Sequence, residues 1–161
     1  ADAILIPEIP YDLQKVSEKI QERDRMGRKF TIVVVAEGAI PQHGELSLIE
    51  GELGHERRLG GVGEKVAAEL RKTNGKDTRT VVLGHLLRGG SPTATDRLNS
   101  LRYGAAAVRA LAEGQSGIMV ALDPPVVHYV PLEEATRRMK SVPLDSDIVL
   151  TARDLGICFG D

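Results

Sequence analysis

The sequence predicts an α/β protein in which a mainly parallel sheet is flanked by helices. Two apolar, β-branched runs of strand length, Phe30–Ala36 and Arg79–Leu83, are separated by stretches whose apolar residues recur at helical spacing. Each run ends in a polar corner containing glycine, Glu37-Gly38 and Gly84-His85. Open α/β sheets place ligand-binding groups at the carboxyl ends of their strands in this way. Strands alternating with helices imply βαβ units and hence parallel pairing.

A chain of 161 residues, 42% hydrophobic and 27% charged, has the composition of a folded single domain. Twenty-one Lys+Arg against 23 Asp+Glu leave a net charge of −2, and aromatics are only 3%. No basic stripe or stacking platform is evident, so a nucleic-acid partner is not expected. Cys158 is the single cysteine, which excludes an intrachain disulfide and a thiolate zinc cluster. Flanked by Ile157 and Phe159, it reads as a small buried hydrophobe. No apolar run reaches membrane-span length and no signal-peptide pattern opens the sequence, so no membrane partner and a cytoplasmic address are expected.

In chain order, Ala3–Ile6 reads as a short strand that runs at once into Pro7 and Pro10. Asp12 is a helix N-cap, and Leu13, Val16 and Ile20 share one face of a helix from about Leu13 to Met26 that Gly27 terminates. Phe30–Ala36 has the continuous apolar pattern of a strand covered on both faces. Ile40–Gly60 reads as a polar loop, followed by a helix over about Val62–Lys72 with Val66, Ala67 and Leu70 inward.

The strand Arg79–Leu83 then delivers the turn Gly84–Pro92. A helix over about Ala94–Ala112 carries Leu98, Leu101, Ala105, Val108 and Leu111 as its expected core face, with Gly114 as its stop. Gly117–Leu122 and Val126–Val130 are further strands, with His128 structural rather than catalytic. Pro131 opens a short helical turn, and a last helix begins near Asp145 or Ser146 and ends near Leu155-Gly156. The carboxylates and hydroxyl of Asp145-Ser146-Asp147 are read as helix-capping groups rather than a catalytic pair.

Glycines in the Gly84–Pro92 turn let the backbone approach a ligand closely, and His85 and Arg88 stand beside it. With Glu37 and Arg79 they form a set suited to a phosphorylated polyol: arginines for the phosphate, glutamate and histidine for hydroxyls. His43 and His55, near Glu45, Glu52 and Glu56, invite a metal reading. Their spacing does not put both imidazoles on one helical face, so no metal site is assigned.

Leu83-Gly84-His85-Leu86-Leu87-Arg88-Gly89-Gly90-Ser91-Pro92, continuing through Asp96-Arg97 to Tyr103-Gly104, resembles the sugar-phosphate-binding segment of the 6-phosphofructokinases. Ile6-Pro7-Glu8, Val33–Ala39 and Thr78-Arg79 follow that family's order and separations, so the resemblance spans nearly the whole chain. It implies transfer of a phosphoryl group to O1 of fructose 6-phosphate in glycolysis, with Mg2+ and ATP or pyrophosphate as donor in the full-length enzyme. By the same resemblance, Glu37 binds sugar hydroxyls, while His85 and Arg88, with backbone from Leu86 and Leu87, grip fructose 6-phosphate. Arg79 would reach the sugar phosphate of a neighbouring subunit, which implies a homotetramer with shared sites.

Arg28 and Lys29 lie where many bacterial members bind an allosteric nucleotide. Met26 departs from the basic residue common there, which favours a solvated cation pair at a helix end. Leu87, where glutamine is common, keeps a pyrophosphate-dependent branch open. The family's glycine-rich donor loop and the segment bearing its catalytic aspartate do not occur in this sequence. The expectation is therefore a C-terminal part of the enzyme, without catalytic residues of its own, binding no cofactor alone and active only with its N-terminal half. Within the two-lobed subunit, residues 1–88 would belong to the sugar-phosphate-binding lobe and 89–140 to the donor-binding lobe, with 141–161 returning as a C-terminal helix to the sugar lobe. The alternative is a non-catalytic sugar-phosphate-binding or regulatory module.

Overall fold

The computed structural model describes residues 1–49 and 58–161. The chain divides into two compact units, Ala1–Val82 with Ser141–Asp161, and Leu83–Lys140.

The first unit is built on strand β1 (Ala3–Leu5), helix α1 (Leu13–Arg25) and strand β2 (Val33–Val35). β1 and β2 run parallel, with Ala3 opposite Val33 and Leu5 opposite Val35. As read from the sequence, Asp12 caps α1, its carboxylate accepting from the Gln14 N–H at 2.8 Å. Asp2 fastens three segments: its carboxylate accepts from the Ile32 N–H at 2.7 Å and pairs with Arg23 of α1 at 2.8 Å.

The segment expected to be a polar loop contains a small antiparallel ladder, β3 (Leu48–Ile49) with β4 (Arg58–Leu59). Sequence reasoning missed it because each strand is only two residues long. His55, Glu52 and Glu56 lie outside the described residues. Helix α2 (Val62–Asn74) follows, ended by Gly75 at φ +65°, a left-handed residue that suits glycine.

Alternation along β1 decides the packing. Ala3 and Leu5 join Val16 and Ile20 of α1 and Val62, Val66 and Leu70 of α2 in the main core. Ile4 and Ile6 pack on the other side against Val149 and Phe159, which helix α5 (Asp147–Asp154) and the C-terminal segment supply. Helices thus cover both faces of β1. The expectation of a strand covered on both faces fails for β2, where Val34 is 48% exposed, because α5 reaches over β1 only. Cys158, expected to be buried, is only partly so; it lies in the segment that bridges Ala3 on the edge away from β2.

Arg79–Leu83, expected to be a strand, has no regular structure among the described residues, and Val81 is 75% exposed. A β-branched run becomes a strand only where another strand pairs with it, and none does so here.

The second unit holds helix α3 (Ala94–Ala112), strands β5 (Ile118–Asp123) and β6 (Val126–Pro131), and helix α4 (Leu132–Thr136). Thr93 and Asp96 close a reciprocal capping box at the start of α3, and their hydrogen bonds hold the Asp96 carboxyl below its ordinary pKa. β5 and β6 form an antiparallel hairpin, so among the described residues parallel pairing is limited to β1 with β2 and the isolated bridges Ala3–Cys158 and Tyr11–Pro41.

The position of α3 is as predicted, but the face it buries is not. Ala106 and Ala110 are buried, and the Tyr129 hydroxyl of β6 donates to the Ala106 carbonyl at 3.0 Å. Leu98, Leu101, Val108 and Leu111 are exposed, Leu101 and Leu111 by 73%. Small alanine side chains let the helix approach the hairpin more closely than leucines could.

Helix α5 (Asp147–Asp154) closes the first unit. Ser146 occupies its N-cap as expected, but its hydroxyl makes no capping hydrogen bond.

Candidate functional site

In the first unit, Glu37 stands in the turn directly after β2, exposed to solvent. The strand end is held by the Ala36 N–H donating to Leu5 O at 2.9 Å, and the turn by Ala39 N–H donating to Ala36 O at 3.0 Å. Gly38 packs so closely on Pro7 that a Cβ there would lie 3.0 Å from its Cγ. The glutamate is therefore carried on a tightly seated corner.

Arg79 is presented differently. The Arg71 guanidinium of α2 donates to Thr78 O at 2.7 Å, and the Thr80 methyl would lie 3.4 Å from a Cβ on Gly63. The hydrogen bond anchors the chain just before Arg79, whose side chain is 88% exposed. Its only partner among the described residues is Asp77 at 3.4 Å, an exposed pairing that costs little to exchange for a ligand.

In the second unit, His85, Leu86, Leu87 and Arg88 form a 3₁₀ turn over Gly84–Arg88, inside the turn that the glycines predicted. The Leu86 N–H donates to Leu83 O at 2.9 Å and the Gly89 N–H to Leu86 O at 3.1 Å. At three residues per turn, positions 85 and 88 fall on the same side, so imidazole and guanidinium are presented together. Both are exposed, and neither side chain is hydrogen bonded among the described residues. Gly84 at φ +49° and Gly90 at φ +110° supply the left-handed backbone that begins and ends the turn.

Arg28 and Lys29 follow α1 as exposed cations without an ion pair among the described residues. Those residues contain no group of three or more His, Cys, Asp or Glu able to hold a metal. None of their helices is long and apolar enough to cross a membrane.

Sequence reasoning missed an open cleft of about 570 Å³ in the first unit, lined by Glu8, Gln42, His43, Arg153 and Asp161 among others. Arg153 grips Asp161 with two hydrogen bonds of 3.0 and 2.5 Å and lies 5.0 Å from the Phe159 ring centre. The pair lowers the Asp161 carboxyl pKa and raises that of Arg153. Glu8 accepts from the Val142 N–H at 2.8 Å through Oε1, while its buried Oε2 has no partner. The wide sequence separations of these residues left no local signal. The sequence singled out only Glu8, in the Ile6-Pro7-Glu8 motif, and His43, weighed there as a metal ligand.

Fold and exposed groups define an α/β protein that carries a carboxylate, an imidazole and a guanidinium on glycine-containing corners. Comparison with known proteins narrows the class. The family model described as Phosphofructokinase matches residues 1–111, and the chain belongs to that family. The ATP-dependent 6-phosphofructokinase of Chloroflexus aurantiacus is 53% identical over all of this chain and 44% of its own length. ATP-dependent 6-phosphofructokinase 2 of Clostridium perfringens is 43% identical over 100% of this chain and 45% of its own. The solved pyrophosphate-dependent phosphofructokinase from Marinobacter aquaeolei shares the fold at a TM-score of 0.65 and 21% identity, over 99% of this chain and 41% of that one. The chain thus spans under half the length of the curated relatives it matches.

Proposed function

We propose that this chain is the acceptor-binding part of an ATP-dependent 6-phosphofructokinase, which transfers the γ-phosphoryl group of ATP to O1 of fructose 6-phosphate in glycolysis. The observation that carries the proposal is the pairing of exposed His85 and Arg88 on one 3₁₀ turn within the residues that the family model matches. Arg88 binds the 6-phosphate as a planar, bidentate cation, and His85 hydrogen bonds beside it. Glu37 accepts from sugar hydroxyls, Leu86 and Leu87 contribute backbone, and Arg79 reaches the sugar phosphate of a neighbouring subunit in a homotetramer. Arg28 and Lys29 are the candidate effector cations.

The roles divide by lobe. Residues 1–88 and 141–161 serve the sugar side, and 89–140 the donor side. Donor, Mg2+ and the base for the sugar hydroxyl are held by the N-terminal half, so the chain alone does not turn over. Names of the relatives favour ATP over pyrophosphate as donor, and a cytoplasmic enzyme follows from the glycolytic role.

The test is a chimaera in which this chain replaces the matched segment of the Chloroflexus aurantiacus relative. ADP formation dependent on fructose 6-phosphate is expected from the chimaera, with pyrophosphate inactive as donor, and none from the 161-residue chain alone. A soluble chimaera that binds ATP but shows no response to fructose 6-phosphate overturns the acceptor assignment.

A further inference from the structure

Two turns leave the paired strands β1 and β2 side by side, and one rests on the other. The first is Ile6–Ile9, closed by the Ile9 N–H donating to Ile6 O at 3.3 Å, with the Pro7 ring fixing φ at its second position. Ile6 and Ile9 pack with Val149 and Phe159, and Glu8 accepts from the Val142 N–H at 2.8 Å, so both flanks of Pro7 are held. The second is Ala36–Ala39, closed by the Ala39 N–H donating to Ala36 O at 3.0 Å, with Glu37 and Gly38 at its tip. Ala39 is buried in the main core, and the next carbonyl, Ile40 O, accepts from the Tyr11 N–H at 2.9 Å.

Gly38 meets Pro7 so closely that a Cβ on it would lie 3.0 Å from the ring Cγ and 3.6 Å from the ring Cβ. Its backbone is not in the left-handed region, so its conformation does not call for glycine. Glycine here costs conformational entropy on folding. What the missing Cβ provides is closeness: the corner that carries Glu37 settles directly on the proline ring. Glu37 is exposed, and no hydrogen bond holds its side chain among the described residues, so its placement depends on the backbone of this corner.

We infer that Pro7 is a positioning residue for Glu37, its ring acting as a seat whose height sets how far the carboxylate stands towards the sugar hydroxyls. The inference rests on the hydroxyl-binding role proposed for Glu37 and adds what fixes its geometry. A carboxylate displaced by a fraction of an ångström forms longer and less aligned hydrogen bonds, and binding of the sugar suffers accordingly.

The experiment measures KM for fructose 6-phosphate and for ATP in the Chloroflexus chimaera carrying Gly38→Ala, Pro7→Ala, both together, or Glu37→Gln. Gly38→Ala should raise the fructose 6-phosphate KM about tenfold and leave that for ATP unchanged, because the added methyl lifts the corner off the ring. Pro7→Ala removes the ring Cγ but keeps the Cβ, and should raise the same KM about threefold as the seat is lost. The double variant should return to within about twofold of the unaltered chimaera, since the new methyl then meets only the atom at 3.6 Å. Two losses that cancel mark a shared geometry, whereas independent structural damage adds.

Glu37→Gln separates the inference from the reading beneath it. If it leaves the fructose 6-phosphate KM unchanged, the hydroxyl-binding role fails and the inference falls with it. If it raises that KM while both single variants leave it unchanged, or while their effects add in the double variant, the inference alone is overturned. If Gly38→Ala fails to fold, Pro7→Ala, which introduces no clash, decides.

Discussion

The Arg71 guanidinium donates to the backbone carbonyl of Thr78 at 2.7 Å, which ties the residue before Arg79 to helix α2. Arg79 is left outside this bond, exposed and only loosely paired with Asp77. The role proposed for Arg79, reaching a neighbour's phosphate, calls for such an arrangement: a held backbone and an uncommitted side chain. Arg71→Met should cost about 1 kcal/mol of stability, the net scale of one hydrogen bond at a solvent-exposed position. In the chimaera it should also raise the KM for fructose 6-phosphate while leaving that for ATP unchanged. Calorimetric melting and steady-state kinetics check the two parts.

The 3₁₀ turn makes a sharper prediction for Arg88. With no internal hydrogen bond to lose, Arg88→Ala should leave the melting temperature within about 1 °C, as expected for an exposed substitution. Fructose 6-phosphate binding in the chimaera should weaken by about 1.5–3 kcal/mol, the worth of charge-assisted hydrogen bonds to a phosphate. Arg88→Lys should recover only part of this, because lysine lacks the planar fork. Titration calorimetry of the three proteins provides the measurement.

Asp161 links stability to pH. Arg153 holds its carboxyl below the ordinary carboxylate pKa, so the folded value lies under the unfolded one. The stabilisation is therefore complete above the unfolded pKa and is lost as pH falls through the folded one. Between about pH 5 and about pH 3, the melting temperature of Asp161→Asn should fall less steeply than that of the unaltered chain. Parallel slopes would mean that the pair contributes nothing.

Gly160 has φ +83°, and a Cβ there would lie 2.7 Å from Tyr11 Cβ and 3.1 Å from its Cα. Gly75 shares the left-handed backbone at φ +65°, with nothing within 4 Å. Gly75→Ala should cost about 1 kcal/mol from backbone strain alone. Gly160→Ala should cost about 3 kcal/mol, because the clash adds to the strain and displaces a buried tyrosine. Denaturant melts of both variants separate the two terms.

Local chemistry was legible in the sequence. Asp12 and Gly27 bounded α1, Val66, Ala67 and Leu70 of α2 were read as inward and are buried, and α3 begins and ends at the residues its pattern named. The candidate site was legible as residue types on glycine corners, and the 3₁₀ winding that sets His85 beside Arg88 was not. The cleft of Glu8, Arg153 and Asp161 joins distant parts of the chain, which no local pattern encodes.

By itself, the sequence determined the α/β class, the helices, the family and the chemical character of the corners, because caps, periodicity and turn residues act over a few neighbours. The tertiary structure alone decided which apolar faces are used. The leucine stripe of α3 and the valines of Arg79–Leu83 read as core and strand, yet Leu101, Leu111 and Val81 are exposed. Apolar character states only that a surface gains by leaving water. Whether it does so depends on a partner of matching shape, and β1 found its partners in α1, α2 and α5.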